Sequence, residues 1–200
     1  MNAIQRRPRD PLRAVVLDGI RVAGENGIRN LLAEDLREAG SDVELLSLQN
    51  LDIAPCQGCF GCWIQTPGEC VIPDAGRDVA RTVIQSDLVV FLTPVTFGGY
   101  SSTLKKAVDR LIPLVSPYFR RVGGEVHHRP RYRRHPCLVG VGLLDRSDPE
   151  AEAVFARLVE RNAINLWAPA HAAVVLQTDE EPDLQRQGVH DAMGKVGIPR

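Results

Sequence analysis

Apolar positions along this chain follow two alternating rhythms. Short, mostly apolar runs at residues 14–17, 43–48, 88–92, 137–144 and 171–176 have the length of strands. Between them, apolar residues recur at three- and four-residue steps. Ile28, Leu31, Leu32, Leu36 and Ala39 make one helical face, stopped by Gly40. Val79, Val83 and Ile84 mark a short helix over 77–85. Leu104, Val108, Leu111 and Ile112 mark another, which Ser101 or Ser102 can cap. Ser147-Asp148-Pro149-Glu150 opens a further helix with a capping carboxylate, a proline in the first turn and an acid near the positive helix end. Beyond Asp179 the chain is polar and punctuated by Gly and Pro, which predicts a short helix or a loose end.

Strands alternating with amphipathic helices predict an α/β fold whose parallel sheet is covered on both faces, with right-handed crossovers. Five strands suit the flavodoxin-like doubly wound sheet, order 2-1-3-4-5. Such sheets bind ligands beyond the strand C-termini, at the switch point between the first and third strands. Here those ends are residues 18–27 and 93–100. The predicted organisation is a flexible tail over 1–12, one domain over 13–178 and a C-terminal segment over 179–200. Two stretches break the alternation inside the domain: a cysteine-rich insertion over 49–74 and a basic loop over 116–135.

Composition narrows the function classes. Lys and Arg number 24 against 25 Asp and Glu, a formal net charge of −1, which argues against a dedicated nucleic-acid binder. No apolar run approaches the ~20 residues of a membrane span. The opening residues MNAIQRRPRDPL carry basic side chains with no apolar core behind them, so no secretory signal is read there and a cytoplasmic location is expected. Four of the five cysteines fall between Cys56 and Cys70, a cluster that reads as metal binding or redox chemistry before disulfides. No Ser/His/Asp or Cys/His hydrolase arrangement and no P-loop lysine motif is legible.

The turn Thr93-Pro94-Val95-Thr96-Phe97-Gly98-Gly99-Tyr100 stands at the switch point. Pro94 directs the chain out of its strand, the glycines let backbone pass close to a flat ligand, and Phe97 offers a stacking face. Cys56-x2-Cys59-x2-Cys62-x7-Cys70 brings four thiols together, a spacing open to an iron–sulfur cluster, to unligated structural or redox thiols, or to zinc. In the first loop Gly19, Gly24 and Gly27 permit an amide cradle, Arg21 supplies a cation and Asn26 a side-chain donor. No Ser or Thr is present there, and Asp18 and Glu25 oppose an anion.

The stretch LVVFLTPVTFGGYSSTLKKAVDR resembles the flavin-ring segment of NAD(P)H-dependent FMN reductases and iron–sulfur flavoproteins of the flavodoxin-like superfamily. The resemblance runs from about Arg13 to Leu111 and more weakly to about Gln177. It implies that Pro94, Val95, Thr96, Phe97 and Gly98 line the isoalloxazine ring of FMN, with Thr96 in place of the family's usual Tyr. It also implies that Cys56, Cys59, Cys62 and Cys70, within PCQGCFGCWIQTPGECVIPD, hold a [4Fe-4S] cluster. In the first loop the family carries Ser or Thr around the FMN phosphate. There this chain relies on Gly19, Arg21, Gly24, Asn26 and Gly27.

The implied activity is oxidoreduction. FMN takes hydride from NAD(P)H and passes electrons to a small-molecule or protein acceptor, and no catalytic side chain is required. Family members imply a homodimer or homotetramer. An alternative of another class is a non-catalytic flavodoxin-like redox or metal sensor that has lost FMN. The stretch from Arg120 to His135, with six Arg and one Glu, reads either as a lobe that grips a phosphate or as a solvated loop or subunit-contact arm.

Overall fold

The structure, a computed structural model, describes residues 11–21 and 26–198. Five parallel strands form its centre: β1 (Leu12–Asp18), β2 (Ser41–Ser47), β3 (Leu88–Thr96), β7 (Cys137–Leu144) and β8 (His171–Gln177). Their order is β2-β1-β3-β7-β8, which is the expected 2-1-3-4-5 arrangement. Side-chain alternation along each strand feeds two cores. Ala14, Val16, Val90 and Val139 face α1 (Asn26–Glu38) and α6 (Pro182–Lys195). Val15, Leu17, Val89 and Phe91 face α3 (Ala75–Gln85), α4 (Ser102–Asp109) and α5 (Pro149–Asn165).

The helix starts follow from capping. Asp74 accepts from the Gly76 amide, Ser101 from Leu104 and Asp148 from Ala151, each satisfying a donor that the first turn leaves free. Pro149 occupies the first turn of α5, where its missing N–H costs nothing. The tail expected over 1–12 lies outside the described residues except for Pro11 and Leu12, and buried Leu12 already belongs to β1.

Three segments are more ordered than the pattern suggested. β3 runs past its apolar stretch to Thr96, turns at Phe97-Gly98 and returns as β4 (Gly99–Tyr100), pairing Val95 with Tyr100 and Thr96 with Gly99. The basic loop is an antiparallel hairpin of β5 (Val115–Val122) and β6 (Glu125–Pro130) around Gly123-Gly124. Its arginines hid a strand pattern that the Gly-Gly turn announces. The C-terminal segment forms α6, a helix of 14 residues that buries Val189, Ala192 and Met193. A buried carboxylate on α1, Asp35, secures it through Arg186 (2.9 Å) and His190 (3.2 Å). Among the described residues no helix is long and apolar enough to cross a membrane.

β7 admits α5 at close range through its glycines. A Cβ on Gly142 would stand 2.6 Å from Val95 Cγ2 and 3.1 Å from Phe155 Cε1. Gly142→Ala should therefore lower stability by about 1–3 kcal/mol, read as a fall in the urea unfolding midpoint. An unchanged midpoint would mean that Val95 and Phe155 have room to move.

Candidate functional site

The ends of β1 and β3 are locked to α4 by a short chain of hydrogen bonds. The Gly19 amide donates to Leu92 O (2.8 Å), and Ser101 Oγ donates to Gly19 O (3.0 Å) while accepting from the Leu104 amide. Thr93 Oγ1 accepts from the Ser101 amide at 2.9 Å. Gly19 is required by this contact, because a Cβ there would lie 2.8 Å from Leu104 Cβ and 2.9 Å from Ser101 Oγ.

Asp18, at 0 % exposure, does not face the loop as a free charge. Its carboxylate pairs with Arg29 of α1 and accepts from the Ile20 amide. Its partner was missed in the sequence, although a carboxylate closing a buried strand signals a nearby cation, since an unpaired buried charge is costly. The Gly19 and Ile20 amides are thus already occupied, so an anion at this loop must be met from Arg21 onward. Arg21 is exposed and has no partner among the described residues. Gly27 is exposed in the first turn of α1, which Asn26 opens, and Gly24 lies outside the described residues. A cation beside the free amides of a helix start is a donor set that fits a phosphate.

Across the crest, Pro94 and Val95 are half-buried, Gly98 is buried, and Thr96 and Phe97 are exposed. Phe97 has a φ of +50° and Gly98 of +74°, the left-handed pair of a two-residue hairpin turn. For a phenylalanine this conformation is strained, and at 103 % exposure its ring recovers nothing by packing. Gly98 sits against Val154 of α5, whose Cγ1 would be 2.6 Å from an added Cβ. Beneath the turn Tyr100 packs edge-on to Phe91 and Phe155, and its hydroxyl accepts from Asn162 (3.2 Å).

The second candidate site lies in the insertion. Cys56 and Cys59 are exposed, Cys70 is half-buried, and Cys62 is buried on the one-turn helix α2 (Gly61–Ile64). All four line one small cavity of about 60 Å³, walled by Phe60, Trp63, Ile72 and Arg110. Burial raises the Cys62 thiol above its ordinary pKa, and the three other cysteines push it further. Among the described residues no group of three or more His, Cys, Asp or Glu side chains is arranged to hold a metal ion. The thiols ring a space; they do not meet at a point.

Arg110 forms the floor of that space at 1 % exposure. It reaches Asp74 twice (2.7 and 2.8 Å) and Ala54 O (2.8 Å), tying the insertion to α4, while its buried Nε has no hydrogen-bond partner. Four thiols around one space with a spare guanidinium N–H at its wall are the ligand type and counter-charge that an anionic iron–sulfur cluster takes, although the four do not converge on one point here. Burial alone would raise the Asp74 carboxyl, but the bonds from Arg110 and from the Ala54 and Gly76 amides outweigh it and hold the pKa low.

The histidines of the basic hairpin are structural. His127 bridges Asn165 Oδ1 and Glu125 Oε2 at 3.0 Å each. His128 lies between the Trp63 and Phe119 rings, with centroids 4.7 and 4.5 Å away.

The chain belongs to the NADPH-dependent FMN reductase family, whose model matches residues 26–131. An iron–sulfur flavoprotein of Methanocaldococcus jannaschii is 34% identical over 93 residues, 46% of this chain and 47% of that one. One from Archaeoglobus fulgidus is 29% identical over 80 residues, 40% of this chain and 38% of the relative. The chain thus spans less than half the length of these curated relatives. Among solved structures, an NAD(P)H:quinone oxidoreductase from Methanothermobacter marburgensis superposes with a TM-score of 0.64 at 15% identity, covering 90% of this chain and 95% of its own. An azoreductase from Bacillus anthracis gives 0.60 at 14%, covering 94% and 97%. Identities this low speak for the fold alone.

Two outcomes follow from this geometry. Phe97→Asn places a residue favoured at this turn position and should raise stability by about 1 kcal/mol, seen as a higher melting temperature; a lower one would mean the Phe97 ring has a packing role. Asp74→Ala strands Arg110 and should cost about 3–5 kcal/mol at neutral pH. Because the folded-state pKa of Asp74 is depressed, its contribution is full above the ordinary carboxylate range and is lost as pH falls through the lowered value. The gap between native and variant unfolding midpoints should narrow in acid, and a constant gap would contradict the assignment.

Proposed function

We propose that this chain is a flavin-dependent oxidoreductase that binds FMN across the β1/β3 crest and uses NAD(P)H as reductant. The observation that carries the reading is Phe97, a strained aromatic that touches nothing in the folded chain yet stands where doubly wound sheets bind their ligands. Family membership supports it. When bound, FMN supplies hydride acceptance and onward electron transfer, and a [4Fe-4S] cluster held by Cys56, Cys59, Cys62 and Cys70 supplies single-electron relay.

The chain's own residues position and screen. Phe97 offers its ring face, and Pro94, Val95, Thr96 and Gly98 form the rim beside it. Arg21, Gly27 and the start of α1 meet the phosphate. Asp18 is neutralised by Arg29 and does not repel that phosphate, which takes away one of the features that favour a flavin-free sensor. Arg110 sets a positive charge under the thiolates. The electron acceptor is a small molecule or a redox protein, the assembly a homodimer or homotetramer and the location cytoplasmic.

Purification without air, followed by absorption spectroscopy, FMN release and iron and sulfide assay, tests the reading directly. Flavin bands with released FMN are expected. A colourless protein that takes up no added FMN would overturn it. Phe97→Asn should weaken FMN binding by about threefold to tenfold, measured by flavin fluorescence quenching, despite its gain in stability. Unaltered affinity would remove Phe97 from the site.

A further inference from the structure

A cleft of about 480 Å³ runs between α3 and residues 131–134, and five arginines are among the residues that line it. Arg77 pairs with Glu69 (2.7 Å) and donates to Cys70 O and Val71 O, so it serves the scaffold. Arg81 is held by Asp78 and Arg110 by Asp74. Arg133 and Arg134 are different. Both are exposed at the cleft and neither has an ion pair or hydrogen bond among the described residues. Glu69, Asp78 and Asp74 are thus matched by other arginines, and among the described residues Arg133 and Arg134 have no counter-ion.

The segment carrying them is held in place. Arg131 donates to Pro113 O (2.9 Å) and to Val115 O, and Tyr132 contributes a ring to the cleft wall. Ala80, Ile84, Pro113 and Leu114 supply an apolar floor. A concave site of this volume is sized for a small molecule, whereas protein docking surfaces are broad. Two free guanidiniums suit phosphate oxygens, and a tyrosine beside an aliphatic floor suits a flat, weakly polar ring. The lining follows α3 from Gly76 to Gln85 and includes no residue of the β1/β3 crest.

We infer that this cleft binds a nucleoside phosphate, with Arg133 and Arg134 on the phosphates and Tyr132 beside the base. The site is distinct from the flavin crest and stands or falls independently of it. It gives a role to the arginine-rich stretch that the oxidoreductase reading leaves unused, and it places the ligand next to Cys70, which lines both this cleft and the cysteine cavity.

Isothermal titration of the full chain, as purified and saturated with FMN, uses ADP, adenosine and inorganic phosphate as probes. ADP should bind at least about tenfold more tightly than either fragment, and Arg133→Ala/Arg134→Ala should weaken it about tenfold or more with an unchanged melting temperature. Tyr132→Ala should weaken ADP while leaving inorganic phosphate as it was. Three results would each overturn the inference: no ADP binding, ADP affinity retained in the double variant (binding elsewhere, including the crest), or phosphate binding as tightly as ADP.

Discussion

Gly19 fixes how closely α4 can approach the end of β1, and the geometry of the crest depends on that distance. With no side chain in the way, Ser101 bonds back to the Gly19 carbonyl and caps α4 at the same time, while Gly19 bonds across to β3. The three elements that meet at the switch point are thereby held to one another by main-chain and short side-chain contacts, with little rotamer freedom to lose. The hairpin that carries Phe97 projects from this locked base, so its ring is presented by a rigid support even though it is itself unpacked.

A second lock sets the cysteine insertion. Residues 49–74 form only short helical turns and bury only Ile53 and Cys62 of their apolar side chains, and such a segment has little core of its own to hold it. Arg110 supplies the attachment, reaching from the end of α4 to Asp74 and to the carbonyls of Ala54 and Ile72. Burying this pair is costly in solvation, and removing it altogether in favour of apolar residues would not obviously weaken the fold. Its retention makes sense as specificity: one guanidinium orients the loop and leaves a positive charge and a free N–H where four thiols gather.

Much of this architecture was legible in the sequence. The five mostly apolar runs and the helical stripes between them marked the strands and their parallel arrangement, because a parallel sheet is buried on both faces, and the order followed from the flavodoxin-like pattern that five such strands suit. The family motif located the crest and the cysteines. What escaped was carried by polar residues. Arginines masked the β5–β6 hairpin, whose side chains face solvent on much of their length. The helix at residues 182–195 exposes most of its surface and buries only a few apolar side chains, so its period is faint. Asp18 signals a nearby cation without saying which: Arg29, like Arg110, is picked out only by the fold that brings it to its carboxylate, Asp18 or Asp74. Along the chain Asp18 opposes an anion as a free charge, whereas within the fold Arg29 neutralises it.

A crystal structure of the chain grown with FMN tests the central claim most directly. The account places the isoalloxazine ring against Phe97 at the ends of β1 and β3, with the phosphate near Arg21 and the start of α1. Density for the ring anywhere else, or a crest closed by the chain's own side chains, would contradict it.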